Sequence, residues 1–493
     1  MWKFLVITLL TSPLLSFALP ADDAATRARI ENNLELFHLD EAAALIPNLQ
    51  HPGYRSFYEN TILVYRYFAD QDIAYLQKIR ADWKTTTDNL ESLPESDSLR
   101  LVMLSEIQCK RAMLEFVDQN YLTAIRHARL SRNLIKENQS LFPKNINQKK
   151  VLGLFNVVFG AVPSKYQWIT NSLGYKGNIQ TGIAQLEECS RSGTLLRLES
   201  TLLLYNIERN MLNQDVRASE RLEKERKRFE KNIVLDLFMA SGYQSIKQND
   251  KSLQILTQRE QYNDGKVCFL NFWDYLLGRA YYFKSNNREA QRYFSRFLKA
   301  HKGNIFRSDA LFRLGMALTL DGSYPIGRHF FQLVTKEKAS GFDEDEYAIY
   351  MAEKFMAAAP SEDLKALFRA RNFFDGGYLE ESVAILNKLE PRASLLSPAE
   401  RTELYYRFGR IYHSMGKGPE ALAGYQKCIA QPASDQLWMQ VYAFYYQAEI
   451  AKAFSDFPLA RNHYQKALSF NDYFYQAGLE SRCKAALDEI KGK

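Results

Sequence analysis

Residues 402–425 read TELYYRFGRIYHSMGKGPEALAGY. Apolar residues recur every three or four positions on both sides of Met415-Gly416-Lys417-Gly418. That spacing predicts two helices joined by a tight turn. Gly409 in the first and Ala421 in the second carry almost no side chain, so the two helices can approach closely. Tyr405, Phe408, Tyr412 and Tyr425 are large enough to fill the space around that contact.

The same arrangement recurs outward from this stretch. A window from Asn271 has Leu277-Gly278, Tyr281, Ala290 and Phe294, and one from Ser308 has Leu311, Leu314-Gly315, Leu318, Gly327 and Phe331. A window from Val441 has Phe444, Ala448, Ala451, Ala460, Tyr464 and Ala467, and a weaker one surrounds Ala370, Phe373, Ser382 and Leu386. Lys284 to Asn287, Asp321 to Ser323 and Ser455 to Pro458 supply the turns. An additional helix is expected near Glu344 to Ala358, ended by Pro360. Asp343-Glu344-Asp345-Glu346 reads as its acidic first turn, favoured by the helix dipole, rather than as a calcium loop.

This pattern is similar to that of the tetratricopeptide repeat (TPR), a helical hairpin of about 34 residues. The expected fold is all-α, a TPR-like solenoid of helical hairpins wound as a right-handed superhelix; a generic helical bundle is the alternative. Sparse Gly (23) and Pro (14) in 493 residues point the same way, because a β-rich chain would need more turns.

Upstream the helical pattern continues with poorer repeats. Ala25 to Ile46, Tyr58 to Phe68 with Ile73 to Leu90, and Leu101 to Val117 with Tyr121 to Glu137 are candidate hairpins. LGLFNVVFGAV at 152–162 is too short to cross a bilayer and is expected to fill the core between the two halves. Residues 219–232 (SERLEKERKRFEKN) predict a charged helix with a solvated face; a basic site at Lys224, Arg226, Lys227 and Arg228 is the alternative.

Residues 173–186 carry Leu173, Gly174, Tyr175, Gly177, Asn178, Gly182 and Leu186. They resemble the signature of the eukaryotic tetratricopeptide repeat protein 39 and inclusion-body-clearance family. Physically, Gly174 and Gly177 would end a helix and turn, Asn178 would cap the next, and Gly182 would permit a close crossing. The resemblance implies a helical protein with C-terminal TPRs and no catalytic residues. Members of that family are intracellular.

The N-terminus points elsewhere. Lys3, the apolar run Phe4 to Leu15 and Ser16-Phe17-Ala18 form an export signal, with cleavage expected after Ala18. A periplasmic or secreted location follows. The expected organisation is a signal peptide at 1–18, degenerate hairpins at 19–150, a central helical segment at 151–265 and a TPR array with an inserted helix at 266–493. No later run is apolar enough to span a membrane.

The formal charge of +7 is mild for this length and gives no reason to expect nucleic acid. The five cysteines are scattered and odd in number, unlike a disulfide framework. The seven histidines are isolated, and no HExxH, paired-Cys or phosphate-loop motif occurs. Neither cofactor, metal nor enzymatic activity is expected.

Binding has a concrete candidate. Positions 2, 5, 9 and 12 of each first TPR helix face the concave groove, and they select Phe272, Tyr275, Arg279, Tyr282, Phe312, Tyr406, Arg410, His413, Tyr442 and Tyr445. Tyr and Arg give large contact area and planar hydrogen bonding, which suits recognition of a protein or peptide segment. Aromatic rings also stack on sugars, so a glycan is the second candidate, and these side chains could instead pack against neighbouring helices.

Overall fold

A computed structural model describes residues 21–160, 177–191, 196–212, 214–229, 231–262, 268–338, 340–432 and 437–492. The export signal, Leu173, Gly174 and Tyr175 lie outside these residues. The described residues form 25 α-helices and no strand. In order these are α1 Ala21–Glu35, α2 Leu39–Leu45, α3 Pro52–Asp70, α4 Ile73–Ala81, α5 Trp83–Glu91, α6 Arg100–Val117 and α7 Tyr121–Leu141. Next come α8 Gln148–Gly160, α9 Ile179–Arg191, α10 Leu196–Asn210, α11 Asp215–Arg226, α12 Ile233–Ser245 and α13 Asn249–Leu256. The remainder are α14 Leu270–Phe283, α15 Asn287–Ala300, α16 Arg307–Leu320, α17 Tyr324–Val334, α18 Asp343–Ala357, α19 Glu362–Gly376, α20 Leu379–Leu389, α21 Pro398–Ser414, α22 Gly418–Ile429, α23 Leu437–Ala453, α24 Phe457–Leu468 and α25 Gln476–Glu489.

The chain divides into two compact units, one of residues 1–239 with 259–272 and one of residues 240–258 with 273–493. The second is a succession of hairpins built on one device. An added Cβ at Gly278, Gly315 or Gly409 would lie 2.7, 2.7 or 2.5 Å from the ring of Phe294, Phe331 or Tyr425. Ala448 is fully buried beside Tyr464 in the fourth window. Each small residue therefore sits where the aromatic of the partner helix must enter, as the spacing predicts. At the turn between α21 and α22, Gly416 takes a left-handed φ of 73° that disfavours a side chain.

The first unit closes its helices differently. A Cβ at Gly182 would lie 2.6 Å from the Gly153 carbonyl, so α8 and α9 cross almost backbone to backbone. The Asn178 side chain accepts the Thr181 amide at 2.8 Å and caps α9, as the signature implies. The apolar run at 152–162 contributes to α8, whose Val151, Leu154, Phe155 and Val157 are buried inside this unit.

Two helices end where the sequence pattern continues. The expected helix at 73–90 is broken at Asp82, whose carboxylate turns back to Lys78 at 2.9 Å and whose amide closes α4. The charged helix expected at 219–232 runs instead from Asp215 to Arg226. Lys231 takes a positive φ of 58°, and the Asn232 side chain accepts the amides of Val234 and Leu235 to start α12. Its face is also less solvated than composition suggests: Arg221 pairs with Glu208 and Arg226 with Asp236, at 2.5 and 2.6 Å.

The core of the first unit holds ionic groups. Lys110, Lys150, Glu106 and Glu199 are each no more than 1% exposed. Lys150 Nζ lies 2.5 Å from Glu106 and also pairs with Glu199, while Lys110 is 3.9 Å from Glu199. Burial works against the Lys150 cation, but Glu106 and Glu199 outweigh it and hold its pKa up. Burial pushes Lys110 down and Glu199 up. Two cations face two anions.

Candidate functional site

In the second unit, the concave positions of the first two hairpins are filled. Tyr275 is buried, stacks on Phe306 with centroids 4.9 Å apart and donates its hydroxyl to Asp309 at 2.8 Å. Tyr282 is buried beneath the Arg313 guanidinium. Phe312 is buried among Phe331, Phe355 and Phe368. The inserted helix α18 supplies Phe355 and Tyr347, so it occupies the space that a groove there would need. Its acidic first turn also does more than complement a dipole: the buried Asp345 accepts the Phe306 and Asp309 amides and the Ser340 hydroxyl, while burial pushes its pKa up to about 7. Arg279 is half-buried over the rings of Tyr275 and Phe283. Phe272 is half-buried beside Phe269 in the first unit.

An open crevice of about 370 Å³ remains beside α18, lined by Asp309, Arg313, Glu344, Tyr347, Arg371 and Tyr475 among others. Its charges are largely matched. Arg313 pairs with Asp309 at 2.6 Å and Arg371 approaches Asp375 at 3.7 Å.

The later hairpins bring the other predicted residues together. Tyr406 and Arg410 stand one helical turn apart on α21, with His413 on the same face. The Arg410 guanidinium lies 3.8 Å over the Tyr446 ring and donates to the hydroxyls of Tyr446 and Tyr406, at 2.5 and 3.3 Å. Phe374 approaches its other side at 5.3 Å. His413 meets the Tyr425 hydroxyl at 3.2 Å, with its ring edge-on to both Tyr425 and Tyr446. Tyr442 is half-buried and donates to the Tyr475 carbonyl, and Tyr445 is buried against Tyr464.

Electrostatics follow from this wall of rings. Burial pushes the Tyr406 hydroxyl up to about 12, and it raises Tyr425 and Tyr442 as well, so these groups are neutral at pH 7. Burial, then repulsion by Arg410 and Lys247, pushes His413 down to about 4. Burial opposes the Arg410 cation, and the tyrosines around it more than offset that.

Sequence reasoning missed Tyr446 and Arg482. Tyr446 directly follows the selected Tyr445, but the groove positions in its window fall on Tyr442 and Tyr445. Arg482 lies on α25, beyond the last repeat window, yet it acts on Tyr442, Tyr446, Tyr445 and Arg410. A run of aromatics facing an arginine one hairpin earlier was the available signal for Tyr446; Arg482 had none.

Comparison with known proteins places the chain among helical-repeat proteins. Residues 148–340 match the family described as Iml2/Tetratricopeptide repeat protein 39. The match includes the segment 173–186 that resembles that family's signature. The chain is similar to the Rap protein in a crystal structure of its complex with competence and sporulation factor, at 14% identity and a TM-score of 0.34, over 83% of this chain and 97% of that one. It is also similar to a chain of the APC/C hetero-tetramer Cut9-Hcn1, at 12% identity and a TM-score of 0.31, over 94% and 97%. No curated protein matches. The fold is thus of the TPR type, which generally mediates protein–protein interaction. No helix among the described residues is long and apolar enough to cross a membrane, and no group of His, Cys, Asp and Glu among them is placed to hold a metal ion.

Proposed function

We propose that this chain is a non-catalytic binding protein of the cell envelope that receives a segment of a protein partner on the face formed by α21, α23 and α25. One observation carries the reading. On this face Arg410, Tyr406, Tyr446 and His413 converge at a half-buried surface, whereas the equivalent positions of the first two hairpins are filled from within. Tyr and Arg clustered in this way are the residues that dominate binding energy at protein interfaces. The export signal at 1–18 supports an envelope location, periplasmic or secreted.

A photo-crosslinking residue in place of His413, introduced into the full chain in cells, tests the reading. The expected result is a discrete protein adduct in the envelope fraction that is lost in Tyr406→Ala/Arg410→Ala. Retention on polysaccharide with no protein adduct would overturn it in favour of glycan binding. Deleting residues 1–18 should leave the protein in the cytoplasm; unchanged export would refute the location.

A further inference from the structure

The face around Arg410 has donors without acceptors. Arg410 spends N–H groups on two tyrosine hydroxyls. Those hydroxyls accept from Arg410, and among the described residues no acceptor takes the hydrogen of either Tyr406 or Tyr446. An arginine carries five N–H donors, so several of Arg410's also stay unmet. Arg482, which acts on Tyr442, Tyr445 and Tyr446, has no ion pair or hydrogen bond among the described residues.

Charge is unmatched at the same place. Other inward arginines of this unit have carboxylates: Arg313 has Asp309, Arg407 has Glu403 at 3.1 Å and Arg307 has Glu337 at 2.9 Å. Arg410 and Arg482 have none. The tyrosines cannot serve as counter-ions, because burial holds them in the neutral form. His413 adds no acidic group and is itself neutral at pH 7. Asp343 is a carboxylate whose charge reaches Tyr442, and it stands behind the interactions of Arg482, Tyr446 and Tyr406 there. A partly buried cation without a counter-ion is costly, and a planar guanidinium flanked by hydroxyl donors is shaped for a two-oxygen acceptor.

We propose that Arg410 and Arg482, with the hydroxyls of Tyr406 and Tyr446, form a binding site for an oxyanion, a carboxylate or phosphate group carried by the bound partner segment. The proposal rests on the peptide-binding reading above and specifies what that face recognises. The oxyanion takes the unused N–H and O–H donors together, and the aromatic rings exclude water around it, which strengthens each contact.

The test uses the purified full chain, titrated calorimetrically with tetraglutamate, tetraglutamine and inorganic phosphate. Trp438 fluorescence reports locally, since its ring centroid is 5.5 Å from that of Tyr406. Tetraglutamate should bind and tetraglutamine should not. Arg410→Gln and Arg482→Gln should each weaken binding about tenfold or more, the usual scale for losing a charge-assisted hydrogen bond. Tyr446→Phe keeps the ring and removes only the hydroxyl, so it should weaken binding by a smaller factor with circular dichroism unchanged; it stands in should Arg410→Gln fail to fold. Phosphate binding tighter than tetraglutamate assigns the site to phosphate, and the reverse assigns it to carboxylate; either upholds the site. Equal affinity for tetraglutamine, or wild-type affinity in Arg410→Gln/Arg482→Gln and in Tyr446→Phe, overturns it. A partner adduct that persists in Arg410→Gln would reject the oxyanion site alone, whereas tetraglutamate binding without any partner adduct would reject the partner reading alone.

Discussion

The two units treat buried charge in opposite ways. In the first, Lys110 and Lys150 are sealed in the core with Glu106 and Glu199, each cation beside an anion. In the second, Arg410 and Arg482 sit half-buried among neutral tyrosines with no carboxylate. A matched buried network fixes how helices α6, α8 and α10 register and has nothing left to offer a ligand. An unmatched one keeps its donors and its charge available. Abundance of charged side chains therefore says little about function; whether the charge is compensated says more.

That contrast can be broken most directly by Glu199→Gln. It leaves two buried lysines facing Glu106 alone, and it should cost about 3–5 kcal/mol of stability, read from the urea midpoint. A cost below about 1 kcal/mol would mean the quartet is not a matched network. Gly409→Ala comes next. Its Cβ would meet the Tyr425 ring at 2.5 Å, and forcing that ring aside should cost about 1–3 kcal/mol and disturb the neighbouring His413. Wild-type stability would show that the hairpin has room to spare there. Arg410→Met should change stability by less than about 1 kcal/mol, because removing an uncompensated cation relieves the burial cost that its loss of ring contacts adds. A loss as large as that of Glu199→Gln would make Arg410 a structural residue and end the contrast.

The smallest effect is a titration. His413 should titrate near pH 4 in the free protein, by NMR of its ring protons, and move upward when tetraglutamate binds, since an anion offsets the repulsion from Arg410. His127 in the first unit is also held down to about 4, by burial and then by Arg111 and Arg126, and should not respond. Because both pKa values lie below the unfolded value of about 6.5, each histidine's contribution is intact above that pH. It is lost as pH falls from about 6.5 toward 4, where the unfolded chain takes up protons that the folded chain does not.

Much of the fold was legible in local residues. Gly278, Gly315 and Gly409, each 16 positions before the ring it receives, identify the hairpins, because close helix contact has a steric requirement that few residues meet. Asn178 and Gly182 likewise announce a cap and a crossing. Asp82 and Lys231 were not legible as helix breaks, since each lies in a run with acceptable helical propensity, and side-chain pairing and the Asn232 cap decide the matter. At the candidate site, repeat position selected Tyr406, Arg410 and His413 correctly as neighbours, yet it gave Tyr275, Tyr282 and Phe312 the same standing.

By itself the sequence determined the helices, their pairing into hairpins and the class of fold, because those depend on spacing within a few tens of residues. Only the tertiary structure decided which inward positions are closed and which stay available. Phe355 and Tyr347 on α18 reach the second hairpin, Arg482 on α25 reaches the fourth, and Glu199 reaches Lys110 across most of a hundred residues. Burial and charge matching are sums over whatever neighbours the chain brings together, and periodicity along the chain carries no record of those sums.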